Sequence, residues 1–166
     1  LKRLNPDIVI LAYVSGVEFP GERLDEVEPA GHGVWHDLGA GIRSEWRLKT
    51  YLGEQVSFWT KHWALNPSAK ARNGQTYANY VGNLYVDNIL HTTKFDGLFF
   101  DTVWDDISWF DENIDINGDR KKDTKEFIDK NWHDGQQEIF QTIRNRVDDD
   151  YLIITNGYGK FSDVNN

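Results

Sequence analysis

The segment that most constrains this chain is a short apolar run ending in an acid, Phe95-Asp96-Gly97-Leu98-Phe99-Phe100-Asp101-Thr102. A strand buried on both faces reads as a continuous hydrophobic run, and in β/α barrel enzymes the catalytic groups sit where such strands end. Asp101 is therefore the first candidate for chemistry. The alternative role for such an acid is to cap the next turn by accepting backbone hydrogen bonds.

Other segments carry related signals. Residues 7–14 form a β-branched run that stops at Ser15-Gly16, a strand with a turn signal behind it. From Glu18 to Gly53 glycines and prolines break the pattern into a long irregular excursion containing Trp35, His36 and Trp46, and excursions of that length are usually functional. Residues 55–60 alternate polar and apolar as a strand does, and Pro67 closes the segment that follows. Between Gln75 and Thr93 apolar residues recur at helical spacing and lead into the strand ending at Asp101. A second helical stripe from Phe127 to Val147 leads into another buried strand, residues 151–157.

The order strand, loop, strand, helix, strand, helix, strand predicts one α/β domain over residues 1–166, with a parallel sheet and right-handed crossovers. A complete TIM (β/α)8 barrel takes about 250 residues, with a minimum near 200. The 166 residues here would supply part of one. Two architectures remain, a partial barrel or barrel fragment and a small open doubly wound sheet. The fragment is favoured, because Leu1 and the polar end at Asn166 lie where a barrel would continue. No G-x-G-x-x-G or P-loop pattern follows any strand, which weakens a nucleotide-binding open sheet.

Hydrophobic residues make up 39% and aromatic residues 14%, ample for a core. A net charge of -9 argues against nucleic acid, whose phosphates require clustered Lys and Arg. With no cysteine, neither disulfides nor thiolate metal sites are available. The apolar runs are strand-sized, far short of the roughly 18 residues of a membrane span. The sequence begins at Leu1 and contains no Met, so a processed product or a fragment is expected. An export signal could have been removed, and the expected location is extracellular or at the cell surface.

Within the acidic stretch 111–126, oxygen side chains fall at loop positions 1, 3, 5, 9 and 12 as Asp115, Asn117, Asp119, Asp123 and Glu126, with the position 7 carbonyl on Lys121. This is the ligand order of an EF-hand-type calcium loop, and it predicts a structural Ca2+. Position 6, ordinarily Gly, is Arg120, with Gly118 nearby. The alternative is a solvated acidic loop with Glu126 in the first turn of the next helix, favourable to its dipole.

Taken in order, the strand at 7–14 with Ser15-Gly16-Val17-Glu18, the Trp-rich segment ending Leu65-Asn66-Pro67, the strand ending at Asp101, the Asp-rich loop, Trp132 with Gly135, and Ile153-Ile154-Thr155-Asn156-Gly157 resemble the glycoside-hydrolase-like TIM-barrel proteins. These are similar in layout to the polygalactosaminidase-type glycosidases. The resemblance covers nearly the whole chain and implies a carbohydrate-active barrel with an acid at the end of the strand at 101. Against that layout, the first strand and the last several units are expected to lie outside this sequence.

Glycoside hydrolysis uses two carboxyl groups flanking the scissile bond, one giving a proton to the leaving oxygen and the other acting as nucleophile or base. Asp101 is one. Glu18 is the choice for the other, since it follows the strand at 7–14 near the same rim. Asp105 or Asp106, or a residue outside this sequence, could supply the partner instead. Trp59, Trp63 and Trp104 are candidate sugar platforms, each with core packing as its alternative, and Asn66, Asp105 and Asn156 could bind hydroxyls. No H-E-x-x-H or G-x-S-x-G motif occurs, so His32, His36, His62, His91 and His133 are read as structural or surface residues. The expected function is a glycoside hydrolase acting on polysaccharide, with a partner segment or self-association completing the barrel. The alternatives are a non-catalytic carbohydrate-binding barrel and a calcium-stabilised structural or assembly domain.

Overall fold

The architecture rests on three parallel strands, seen in a computed structural model that describes residues 1–92 and 94–158. In chain order the elements are β1 (Leu11–Ser15), β2 (Glu18–Phe19), α1 (Leu24–Val27), α2 (Val34–Gly41), β3 (Lys49–Thr50), β4 (Trp63–Ala64), α3 (Tyr77–Tyr85), β5 (Gly97–Val103), β6 (Ile114–Asp115), α4 (Lys125–Arg144) and β7 (Leu152–Gly157). A π-helical turn, Val86–Leu90, continues α3. The principal sheet has the order β1-β5-β7, while β2 with β4 and β3 with β6 form two small antiparallel pairs in the excursions.

Side chains alternate across a strand, so the register assigns each residue to a face. Ala12 pairs with Leu98 and Leu98 with Ile153, and Val14 pairs with Phe100. These residues pack with Val81, Tyr85, Ile139, Phe140 and Ile143 of the two long helices in the main core. Phe100 meets Tyr85 and Phe140 edge-on, at centroid distances of 5.9 and 5.2 Å. Both long helices therefore lie on the same face and touch each other. A Cβ on Gly82 of α3 would come 2.9 Å from Thr142 of α4, and the Thr76 hydroxyl, which caps α3, donates to Glu138 at 2.8 Å. The opposite face carries Tyr13, Phe99 and Ile154 in one row, with Tyr13 61% and Ile154 42% exposed.

A second core fills the excursions, where Val17, Leu48, Val56, Phe58, Ala64, Ile107, Ile114, Ile116, Ile128 and Trp132 cluster. Trp132 and Gln136 of α4 donate to the Trp104 carbonyl at 2.9 and 2.5 Å, fixing the loop that leaves β5. Gly135 lets that helix approach the Pro67-Ser68 backbone, for a Cβ there would lie 2.5 Å from the Ser68 nitrogen.

Two expected strands are corrected. The run at 7–14 becomes extended pairing only from Leu11, since the preceding backbone is taken by a side chain: Ile10 N–H donates to Asp96 Oδ2 at 2.7 Å. Residues 55–60 are not a strand. The Gln55 amide donates to the carbonyls of Leu48, Val56 and Ala64 at 3.0, 2.7 and 3.2 Å, and the Ser57 hydroxyl reaches the carbonyls of Trp59 and His62, closing a turn. The alternation there reflects Val56 and Phe58 entering the second core, while backbone pairing stops after an isolated Lys49–Gln55 bridge and the bonds of Val56 to Leu48 and Ala64. Among the described residues no closed barrel is present, and the parallel sheet has three strands.

Candidate functional site

Asp101 lies near the C-terminal end of β5, on the face opposite the long helices. The register of β5 with β7 shifts between Phe100 and Val103, and Thr102 takes φ +61°, a conformation costly for a β-branched residue. Bulges and strained residues of this kind re-aim side chains beside functional sites. Here the carboxylate is gripped from three sides. The Tyr13 hydroxyl of β1 donates to Oδ2, while Asn156 Nδ2 of β7 and the Thr102 N–H each donate to Oδ1 at 2.9 Å. Burial alone would raise the Asp101 pKa, but these hydrogen bonds outweigh it and hold the group below the usual carboxylate range. Tyr13 is pushed up to about 12 in turn, by burial and then by its bond to Asp101.

Glu18 has the opposite environment. It sits in β2 just past β1, paired with Ala64 of β4, and is only 8% exposed. Burial, and then the charge of Asp101, raise its pKa to about 7, with the Trp59 side chain pulling the other way. Its Oε2 is buried without a hydrogen-bond partner and lies 3.6 Å from His62 Nδ1, which is buried and unbonded as well. The pKa of His62 is lowered, by burial and then by Arg23. The absence of any H-E-x-x-H or similar spacing makes His62 read from sequence as structural or surface, and its place beside Glu18 comes only from the fold.

The remaining candidates divide. Trp59 is 51% exposed and influences Glu18. Trp63 is partly covered: Arg47 Cζ lies 3.4 Å from its ring centroid, and Phe19 packs beside it at 5.5 Å. Trp104 is half-buried against Phe58 and against Trp109, a more exposed indole 5.4 Å away that was not picked from sequence. Asn66 is buried, with Nδ2 donating to the Ile116 carbonyl at 2.7 Å and Oδ1 accepting from Ser68, so it braces the excursions. Asn156 is exposed and spends its amide on Asp101. Asp105 is paired with His133 Nδ1 at 2.6 Å. Asp106 has a raised pKa, from burial first and then the charges of Asp129 and Asp105.

In the Asp-rich loop the oxygens turn inward onto backbone. Asp115 accepts from the N–H groups of Gly118, Asp119 and Arg120 at 2.8, 3.1 and 2.8 Å, and Asn117 and Asp119 each accept from the N–H two residues ahead. Arg120 adopts φ +64°, so an arginine makes the left-handed turn for which glycine is usual. The pKa of Asp123 is raised by burial, with the charges of Asp115 and Asp119 adding to it. Lys121 pairs with Asp119 at 3.5 Å, and Glu126 is exposed in the first turn of α4. Among the described residues no three acidic, histidine or cysteine side chains are gathered as a metal site.

Fold and site together define a mixed α/β protein in which two electrostatically linked acids lie just beyond and at the ends of neighbouring parallel strands. The chain belongs to the hypothetical glycosyl hydrolase family 15, whose family model matches residues 2–163. No curated protein matches it.

Proposed function

We propose that the chain is a glycoside hydrolase acting on polysaccharide, with Glu18 as proton donor and Asp101 as nucleophile or base. The observation that carries this reading is the opposed tuning of the two acids: Glu18 is raised to about 7 while Asp101 is lowered. Near neutral pH one can hold a proton for the leaving oxygen while the other stays ionised, the division of labour the reaction needs. His62, beside Glu18, is a positioning group that can exchange its proton. The exposed indoles of Trp59 and Trp109 offer aromatic faces to sugar rings.

The sheet is read as a segment of a (β/α)8 barrel. Its order runs β1-β5-β7 in one direction with both long helices on one face, whereas a doubly wound sheet reverses order and covers both faces. The row of Tyr13, Phe99 and Ile154 would then face a barrel interior, closed by a partner segment or by a second copy. The test is product release from a polysaccharide panel, run on the assembly found by sedimentation, with circular dichroism as the folding control. Asp101→Asn and Glu18→Gln are each expected to lower turnover by about 10²–10⁴-fold. If Asp101→Asn retains wild-type turnover, the assignment fails. If neither wild type nor variants turn over any glycan yet all bind them, the binding-module reading replaces it.

Calcium is a second part of the proposal, supported by the oxygen spacing from Asp115 to Glu126 and by Asp123, whose pKa is raised first by burial and further by the charges of Asp115 and Asp119. A bound Ca2+ would draw on Asp115, Asn117, Asp119, the Lys121 carbonyl, Asp123 and Glu126 and stabilise the fold by mass action. Melting with calcium should exceed melting with a chelator by about 1–3 kcal/mol of stability. Equal melting temperatures would remove calcium from the proposal.

A further inference from the structure

A cleft of about 630 Å³ opens between the segments at 44–53 and 66–70 and the Asp-rich loop. Four cationic side chains line it: Arg47, Lys49, Lys70 and Arg120. The chain as a whole carries a net charge of -9, so four cations around one cavity run against its average. Among the described residues none of the four forms an ion pair. Two acids, Glu45 and Asp115, also line the cleft, so the cations outnumber them four to two. The carboxylate of Asp115 is taken up by three backbone N–H groups, and Glu45 accepts from the Ser44 hydroxyl at 3.0 Å and lies 3.9 Å from Arg72.

Arg47 is the most telling of the four. Its guanidinium lies over the Trp63 ring, with Cζ 3.4 Å from the centroid, and its Nε is buried with no hydrogen-bond partner. A stacked guanidinium keeps its planar fork of donors in one orientation, which suits bidentate capture of a carboxylate or a sulfate. Unpaired cations held together repel one another, and an anionic ligand relieves that repulsion.

We propose that this cleft binds the acidic groups of a glycan, making the substrate an anionic polysaccharide. The proposal rests on the glycosidase reading for the identity of the polymer, while the cleft's charge is independent of it. The test measures equilibrium binding in the Asp101→Asn background, so that turnover does not intervene. The probes are an oligogalacturonate, a sulfated oligosaccharide and a neutral galacto-oligosaccharide of equal length. An acidic probe is expected to bind at least ~10-fold tighter than the neutral one and to weaken as salt is raised. Carboxylated or sulfated preference names the anion. Arg47→Lys, which keeps the charge and loses the fork, should weaken acidic binding by ~10-fold, and the exposed Lys70→Gln by ~3-fold. Equal affinity for neutral and acidic probes, or acidic binding untouched by both variants, overturns the proposal. Hydrolysis by the wild-type protein is read separately, so acidic binding without hydrolysis refutes the enzyme and keeps the cleft, and charge-blind hydrolysis does the reverse.

Discussion

The two faces of the parallel sheet are built from alternate residues of the same strands, yet they are different materials. On one face Ala12, Val14, Leu98 and Phe100 are almost wholly buried under α3 and α4. On the other, Tyr13 and Phe99 stack at 6.1 Å with Tyr13 largely exposed, and two residues further along β5 the row ends in Asp101. The first face is held by packing and the second by a hydrogen-bonded carboxylate. A shift of one residue in register would exchange them, which is why stability and chemistry here can be altered by mutations at neighbouring positions.

The largest contrast is expected between Phe100 and Phe99. Phe100→Ala should cost about 3–5 kcal/mol in chemical denaturation, because it leaves a cavity among Tyr85, Phe140 and Leu98. Phe99→Ala, on the half-open face, should cost about 1 kcal/mol. A concentration-dependent rise in the Phe99 cost would break the comparison, by showing that the open face is covered in an assembly.

Glu18→Gln gives the next effect, with a sign set by pH. The folded pKa of Glu18, about 7, is above its unfolded value, so its contribution to stability is fully present below about pH 4.5 and lost as pH rises through 7. The Gln variant does not titrate there. It should match the protonated wild type in acid and exceed the wild type above pH 7 by up to about 3 kcal/mol, while losing activity. A variant less stable than wild type at pH 8 would show that the ionised Glu18 is compensated in the folded state.

Tyr13→Phe is the mildest. It removes one of the bonds that hold Asp101 low, so the acid limb of the activity profile should move to higher pH, with a stability change of about 1 kcal/mol or less. An unmoved acid limb would mean that Asn156 and Thr102 suffice to set the charge.

Residues whose signal is local were legible in the sequence. The strand at Asp101 and the two long helices follow from runs and periods that a single segment carries, and so does the strand at 152–157, which the sequence reads as buried but which lies at the sheet edge and is mostly exposed. Residues 55–60 misled, because alternation records burial of every second side chain, and Val56 and Phe58 achieve that in a turn. In the site, Asp101 and Glu18 could be picked as acids following apolar strands. Tyr13 and His62 could not: a tyrosine inside β1 becomes a partner of Asp101 only through the pairing of Tyr13 with Phe99, and His62 reaches Glu18 through the pairing of β2 with β4. Arg120 illustrates a different limit. Its identity argued against the tight turn, and the loop makes that turn anyway because the Asp115 carboxylate collects the N–H groups around it.

The grip on Asp101 also has a kinetic meaning. Its side-chain partners stand 88 residues before it and 55 after it, so the carboxylate is dressed only when distant parts of the chain have met. Closing such long loops is slow compared with forming α3 or α4. On a ribosome, β1 must wait for β5, and both must wait for β7 to emerge before Asn156 arrives. The full set of hydrogen bonds to Asp101 therefore forms only once β7 has joined the sheet, and the lowered pKa should appear in the last phase of refolding.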